Sequence, residues 1–496
     1  MELTWRASGE PPAAVAAAAA TPSSSLPKGT IFTGTVNIAN TILGSGMLAM
    51  PFAIANVGLV LGLVMILISG LAATFGLWLL THVARRLPDT ESDETPRVRN
   101  PSSFFALSAI TYPAAAVYFD AAIAIKCFGV ASSYLVVIGD LMPEVVAGLG
   151  GEAARAGILG SRELWISAAM AIVTPLAFLK HLNALKYTGM VAMGAVAYLV
   201  GIVIYFFYSP DFPITPGDVA LIKLGPGFLK ALPIFVFAFT CHQNVFSVYN
   251  EIKENSQANL NIIFSTSVSA ALVIYYVIGT LGYIMYGDTV LGNVIRMYPV
   301  IPLVTYGRLA LAVLFMFTFP VQAHPCRASL IKVVQFVAAR RQASAVTPTN
   351  HQEGQQESSE RQPLLLPTSP SYASVEQDDP RGPAAAAPTS PAAAAVAAAV
   401  AHPATIFSDE VLHPILTTLI VVFAYLVAMS VTSLDRVLAV VGATGSTTIA
   451  YILPGLFYYK LYEDMPWTPV KVGAVSMTVS GLLIVVCCLS VQVYAH

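Results

Sequence analysis

The sequence predicts an all-α polytopic membrane protein of about eleven transmembrane helices, with the first and sixth broken near mid-span. Three observations predict it. Of 496 residues, 56% are hydrophobic and only 10% charged, whereas soluble domains average about 45–50% apolar and about 25% charged. Lipid must therefore solvate most of the chain. The apolar residues gather into runs of the roughly 20 residues that a bilayer requires. The first run includes "NIANTILGSGMLAMPFAIANVG", Asn37 to Gly58, whose Asn residues, Gly-Ser-Gly and Pro are poor choices for an uninterrupted lipid-spanning helix.

In chain order, residues 1–30 read as an Ala/Pro/Ser-rich disordered tail without the compact basic and apolar regions of a signal peptide. Spans follow near 31–55, 57–81, 114–141, 163–180, 184–208, 228–250, 260–286 and 301–322, so that 31–327 carries the first eight. Residues 102–112, between Pro101 and Pro113, suit a short interfacial helix. Residues 328–403 form a polar, Pro/Ser/Gln-rich loop expected to be disordered. The remainder, 404–496, holds spans near 406–430, 436–459 and 470–493. Outside the spans, seventeen Lys and Arg fall on the side of the N-terminus and six on the other, which places the N-terminus in the cytosol.

Several function classes drop out. A net charge of −2 gives no basis for nucleic-acid binding. Five cysteines without a C-x-x-C, and eight scattered His, point to neither a disulfide framework nor a zinc site. An enzyme would need His, Asp, Glu or Ser groups converging at one depth, and none do. No cofactor is expected beyond Na+ or H+ as a coupling ion.

The weakened first span carries the functional reading. Backbone amides within lipid must be paired, so an unwound turn is tolerated only where it lines a protein or water cavity. Gly44-Ser45-Gly46 permits unwinding because glycine carries no Cβ penalty in unusual backbone regions, and Pro51 removes an amide just beyond. The second half-helix then offers free amides and the positive end of its dipole to a carboxylate. Leu43, Gly44, Ser45 and Gly46 are the candidate ligands. The first half-helix leaves free carbonyls for a cation. Small-residue helix packing is the competing explanation for the glycines, but Asn37 and Asn40 at membrane depth favour a cavity. Secondary transporters with discontinuous helices bind substrate in this way. An inverted repeat requires a second break five spans later. Pro233 and the polar Thr240-Cys241-His242-Gln243-Asn244 supply it without glycine, making Phe239 and Thr240 candidates for the substrate pocket.

Five stretches, "NIANTILGSG", "FGVASSYLVVIGDLMP", "FLKHLNALKYTG", "CHQNVFSVYNE" and "TFPVQAHPCR", resemble the amino acid/auxin permease superfamily. The chain is most similar to its sodium-coupled neutral amino acid transporters and their vacuolar relatives. The resemblance covers about 31–330 and 404–493. It implies a LeuT-like fold of two inverted five-helix repeats plus an eleventh helix. It also implies a cation site at Asn40 and at Thr318, with Pro320, Pro325 and Arg327 completing the second pattern, although Thr often bonds back to its own helix. The vacuolar branch is regarded as proton-driven, so sodium and proton both stay open.

For a proton, Lys126 and His242 are the candidates. Lys126 lies about 18 Å into span 3, too deep to snorkel, and about 240° around the helix from Asp120. The expected function is ion-coupled amino-acid transport across the vacuolar or lysosomal membrane toward the cytosol. A plasma-membrane importer and an amino-acid-sensing receptor of the same fold are the rivals. Besides substrate and bilayer, one partner is indicated: Glu360 ahead of Leu364-Leu365 resembles a dileucine sorting signal read by clathrin adaptors.

Overall fold

The computed structural model describes residues 29–86, 102–179, 188–209, 217–345 and 408–494. Span 1 is the pair α1 (Ile31–Ile42) and α2 (Gly46–Val57), bent by 52°. Thr30 starts α1 through a reciprocal capping box with Thr33. Gly58, at a φ of +86°, ends α2 and turns the chain into span 2, α3 (Leu59–Ala84), a backbone region open to glycine and disfavoured for other residues. The interfacial helix α4 (Phe104–Thr111) precedes span 3, α5 (Ala116–Ala156). Spans 4 and 5 are α6 (Arg162–Ala177) and α7 (Thr188–Tyr208). Span 6 is divided into α8 (Pro226–Phe239) and α9 (Val245–Glu251), followed by span 7, α10 (Gln257–Tyr286). Span 8, α11, covers Pro302–Ala345, and span 9, α12, covers Asp409–Ser430. Span 10 runs from α13 (Leu434–Val441) to α14 (Leu453–Leu461), with π-helical turns over Gly442–Ser446 and Thr448–Ile452 between them. Span 11 is α15 (Pro469–Tyr494).

Among the described residues, nine helices are long and apolar enough to cross a membrane, and the bent α1–α2 pair makes ten. The fourth expected segment appears as α6, with 16 residues. Among the described residues, each of the eleven apolar runs is therefore mainly helical.

Two ends differ from expectation. Span 3 continues past 141 to a kink at Gly151 (φ 76°), with a last helical turn to Ala156. Helix α11 continues through Pro320 and Pro325 to Ala345, so 328–345 is helix where a loop was expected from residue 328. The reason is local: Leu330, Val333, Val334 and Val337 keep a helical apolar stripe, and the Pro/Ser/Gln-rich composition begins only after Ala345. The tail before Gly29 and the sorting residues Glu360, Leu364 and Leu365 lie outside the described residues.

The burial pattern separates inner from outer spans. The apolar windows of spans 3, 6 and 10 are each 83% buried, against 28% in span 11 and 33% in span 2. Val60, Val64, Leu67, Ile68 and Leu71 of α3 and Val479, Leu482, Leu483 and Val486 of α15 are exposed. Aliphatic stripes of this kind suit lipid. The enclosed spans meet the two breaks at the centre.

Candidate functional site

Span 1 unwinds at Leu43, whose ψ of 61° departs from the helix. Short-range bonds satisfy most of the amides there. Leu43 donates to the Ala39 carbonyl (2.8 Å), Gly44 to Ile42 (2.9 Å), Met47 to Gly44 (3.3 Å) and Leu48 to Ser45 (3.2 Å). Among the described residues, the amides of Ser45 and Gly46 are left without a partner, as are the carbonyls of Asn40, Thr41 and Leu43. Of the four amides expected to hold a carboxylate, two are thus free and two engaged.

The glycines act differently from expectation. Among the described glycines, positive φ occurs only at Gly58, Gly151 and Gly287, so Gly44 and Gly46 do not supply unusual backbone angles. They supply proximity. A Cβ on Gly44 would stand 3.2 Å from the Tyr134 hydroxyl, and one on Gly46 would stand 3.1 Å from the Cα of Ala238 in α8. The motif thus packs closely, as small residues allow, and its Gly44 and Ser45 also line a small cavity.

Span 6 breaks where its polar interruption lies. Thr240 is extended (φ −79°, ψ 104°), and one 3-10 turn, His242–Asn244, leads into α9. The Thr240 hydroxyl donates to Val236 (2.6 Å) and its amide to Phe237 (3.0 Å). The Phe239 and Thr240 carbonyls stay free among the described residues. The two breaks are tied together. The Tyr275 hydroxyl of α10 is shared between the carbonyls of Ile42 (2.7 Å) and Ala238 (2.9 Å), and Asn244 Nδ2 donates to Thr41 Oγ1 (2.8 Å).

Helix α5 closes the site with Lys126, Val130 and Tyr134, four residues apart on one face. Ser133 donates to the Val130 carbonyl (2.7 Å) and lies 2.8 Å from the Ser45 hydroxyl. The Ser133 proton being used, Ser45 is the donor in that pair. Span 10 presses on the same region. A Cβ on Gly445 would stand 2.7 Å from both the Ala122 carbonyl and the Lys126 amide, and one on Gly442 only 2.0 Å from the Pro233 carbonyl. Both glycines sit in or beside π turns, which recur at functional sites.

Thr41, Ile42, Gly44, Ser45, Lys126, Val130, Tyr134, Phe237 and Thr240 enclose a cavity of about 10 Å³, the room of a single water. An amino acid requires the walls to separate. Gly44, Ser45, Thr240 and Lys126 were expected at the site from the sequence and line this cavity. Gly46 adds a free amide beside it, while Leu43 is buried with its amide engaged. Phe239 lies behind the wall, edge-on to Tyr275 at 5.0 Å. Asn40 is half-buried, its Nδ2 3.9 Å from the position of a Cβ on Gly189 in α7. The Thr318 hydroxyl donates to the Leu314 carbonyl of its own helix (2.7 Å), keeping its lone pairs. His242 is fully buried, with Nε2 against Gly76 of α3. Asp120 lies 3.8 Å from Lys332 of α11, consistent with its angular separation from Lys126. Arg327 donates to the Ala177 carbonyl (2.8 Å) and to Thr417 Oγ1 (3.0 Å), capping α6 and joining it to α12.

Sequence reasoning placed Thr41 at the end of the first half-helix and missed Ile42, Val130, Tyr134, Phe237 and Tyr275. The positions four and eight residues beyond Lys126 were available as a signal for Val130 and Tyr134. The Tyr275 contact spans 233 residues of sequence and leaves no local trace.

Two broken helices, each first in a set of five, facing one another across a small polar cavity define a membrane transporter of the LeuT-like class. MHP1, a nucleobase-cation-symport-1 family transporter solved in a closed conformation with bromovinylhydantoin bound, shares this fold. It gives a TM-score of 0.50 at 10% identity over 94% of this chain and 91% of its own. MhsT, solved in complex with L-phenylalanine, gives a TM-score of 0.46 at 10% identity over 95% of this chain and 100% of that one.

The chain belongs to the family described as transmembrane amino acid transporter protein, whose pattern matches residues 27–494. It is a transporter, not an enzyme. Vacuolar amino acid transporter 6 of Saccharomyces cerevisiae is 36% identical over 93% of this chain and 98% of its own length. Vacuolar amino acid transporter 5 of Schizosaccharomyces pombe is 33% identical over 94% and 95%. Sodium-coupled neutral amino acid transporter 4 of Homo sapiens is 22% identical over 91% and 81%.

Proposed function

We propose that this chain is an ion-coupled secondary transporter of the vacuolar or lysosomal membrane that releases amino acids from the lumen to the cytosol. The observation that carries the reading is the arrangement of unpaired backbone groups at the breaks. The Ser45 and Gly46 amides, at the positive end of α2, suit an α-carboxylate. The Thr41, Phe239 and Thr240 carbonyls suit an α-ammonium. These groups are common to every amino acid. The names of the 36% and 33% identical relatives support the vacuolar location, and the Lys and Arg distribution supports a cytosolic N-terminus.

Movement is read as spans 1, 2, 6 and 7 shifting together against the rest. Contacts within that group support it. Besides the Tyr275 and Asn244 links, Ser267 of α10 donates to Thr35 of α1 (2.9 Å) and Tyr276 to Leu63 of α3 (3.1 Å). Gly29, ahead of α1, donates to the carbonyl of Glu251 (2.9 Å), the last residue of α9, and accepts from the amide of Lys253 (3.1 Å) just beyond it.

The coupling ion is read at Asn40 and Thr318 for a cation, and at Lys126 and His242 for a proton. Proteoliposomes with imposed Na+ or H+ gradients test the transport reading. Ligand binding without flux would make the chain a receptor. Asn40→Ala should abolish the stimulation of uptake by an imposed ion gradient, and stimulation equal to wild type removes the cation assignment. Sorting is read at Glu360, Leu364 and Leu365. Replacing both leucines by alanine should move the protein to the cell surface, and an unchanged distribution in microscopy rejects the adaptor signal.

A further inference from the structure

Among the described residues, Lys126 contributes the only ammonium or guanidinium group to the cavity wall, and it is 2% exposed. The other deeply buried cations among the described residues have their charge met. Arg308 donates to the carbonyls of Ile295, Arg296 and Tyr298, Arg327 to that of Ala177, and Lys471 to those of Tyr462, Glu463 and Met465. Lys126 is the exception. Among the described residues, its ammonium has neither a hydrogen-bond acceptor nor a carboxylate within ion-pair distance. Asp120 is turned to Lys332, and Asp140 to Arg162 (3.4 Å) and Arg296 (3.7 Å). The titratable groups facing Lys126 are the thiols of Cys127 and Cys241 and the imidazole of His242. Gly445 of span 10 packs on its backbone, so the residue is held in place while its charged end borders the cavity. An ammonium removed from water without an anion is strongly disfavoured, and an anion placed against it is correspondingly well held.

We infer that Lys126 is the specificity residue of this site and that its missing anion is a carboxylate on the substrate side chain. The chain then favours amino acids with acidic side chains over neutral ones and rejects basic ones, whose cation would meet Lys126 without a counter-charge. The inference rests on the transport reading of the same cavity. The α-carboxylate is already provided for by the Ser45 and Gly46 amides. The Ser45 side chain meets α5 at Ser133, a rise of about 10 Å along the helix from Lys126. Once the walls part to admit a substrate, the amides of the span 1 break meet its invariant head and the Lys126 ammonium meets its variable side chain. A Lys126 that served the α-carboxylate would act equally on every amino acid, which gives the test its form.

The full chain in proteoliposomes, without ion gradients, is assayed for counterflow of labelled glutamate, glutamine and lysine. Glutamate and glutamine are nearly isosteric, so their ratio of kcat/KM isolates the charge. Wild type should exchange glutamate in clear preference to glutamine, with lysine at background. Lys126→Gln should lower the glutamate-to-glutamine ratio by about thirtyfold or more, and Lys126→Arg should keep a preference for glutamate. Wild type that exchanges glutamine as well as glutamate overturns the inference without any variant having to fold. So does a Lys126→Gln protein in which both substrates fall in the same proportion. If wild type exchanges no amino acid, the transport reading fails and the inference with it. Exchange without acidic preference removes the inference alone.

Discussion

Gly46→Val should reduce amino-acid exchange to background while the protein still inserts and purifies as a single species. The valine Cβ would stand 3.1 Å from the Cα and 3.3 Å from the Cβ of Ala238, and 3.5 Å from the Phe237 ring. The nearest of these atoms is backbone and cannot swing aside. The two added methyl groups must push α2 away from α8, and a tightly packed interior resists that at a cost of about 1–3 kcal/mol. A bundle of this many packed helices can absorb such a loss. The site cannot, because the displaced helix carries both free amides. A shift of about 1 Å at a positioned group lowers turnover by about a hundredfold. Gly46→Ala, which meets the same atoms without the branch, should fall between. Counterflow in proteoliposomes, with the elution profile in detergent as the control for folding, measures both. Wild-type exchange by Gly46→Val would mean that the approach of spans 1 and 6 at Ala238 does not shape the site.

Much of this architecture could be read locally. The apolar runs became helices, and the polar interruptions at Leu43–Ser45 and Thr240–Cys241 became breaks, because a bilayer leaves unpaired backbone few alternatives. Span ends were read less well, since α11 retains its helical pattern through the first charged residues of the expected loop. Lys126 was legible as a charge within an apolar run. The role of the glycines was not, because the sequence "GSG" is compatible with strained dihedrals and with close packing, and only the position of Ala238 decides between them. Tyr134 and Tyr275 look like ordinary aromatic residues of apolar helices. Their value lies in where their hydroxyls stand across the fold, that of Tyr134 in the space a side chain at position 44 would need and that of Tyr275 on two freed carbonyls.

Arg308→Ala should cause the largest loss of stability of any single substitution away from the cavity. The side chain is fully buried on α11. Its Nη2 donates to the carbonyls of Tyr298 (2.6 Å), Ile295 (3.1 Å) and Arg296 (3.4 Å), its Nε also reaches Ile295 (3.3 Å), and its Nη1 lies 3.9 Å from Glu144 Oε2. One guanidinium therefore fixes the turn Val294–Met297 between α10 and α11. Asn293 and Arg296 of the same connection reach Asp140 of α5 at 3.3 and 3.7 Å. Alanine leaves those carbonyls without a donor and Glu144 without this cation, a cost of about 3–5 kcal/mol for breaking a buried charged pair. Lysine should recover only part of it, since a single ammonium cannot reproduce the planar fork. The apparent Tm in detergent at one fixed scan rate is the measure, because membrane proteins of this size rarely refold and the midpoint depends on rate. The loss should extend to transport. Val294 and Pro51 of α2 both pack at Gly282, so loosening this turn removes support from the helix that presents the Ser45 and Gly46 amides. An Arg308→Ala protein with the wild-type midpoint would show that the turn is held by its apolar contacts, with the guanidinium adding little.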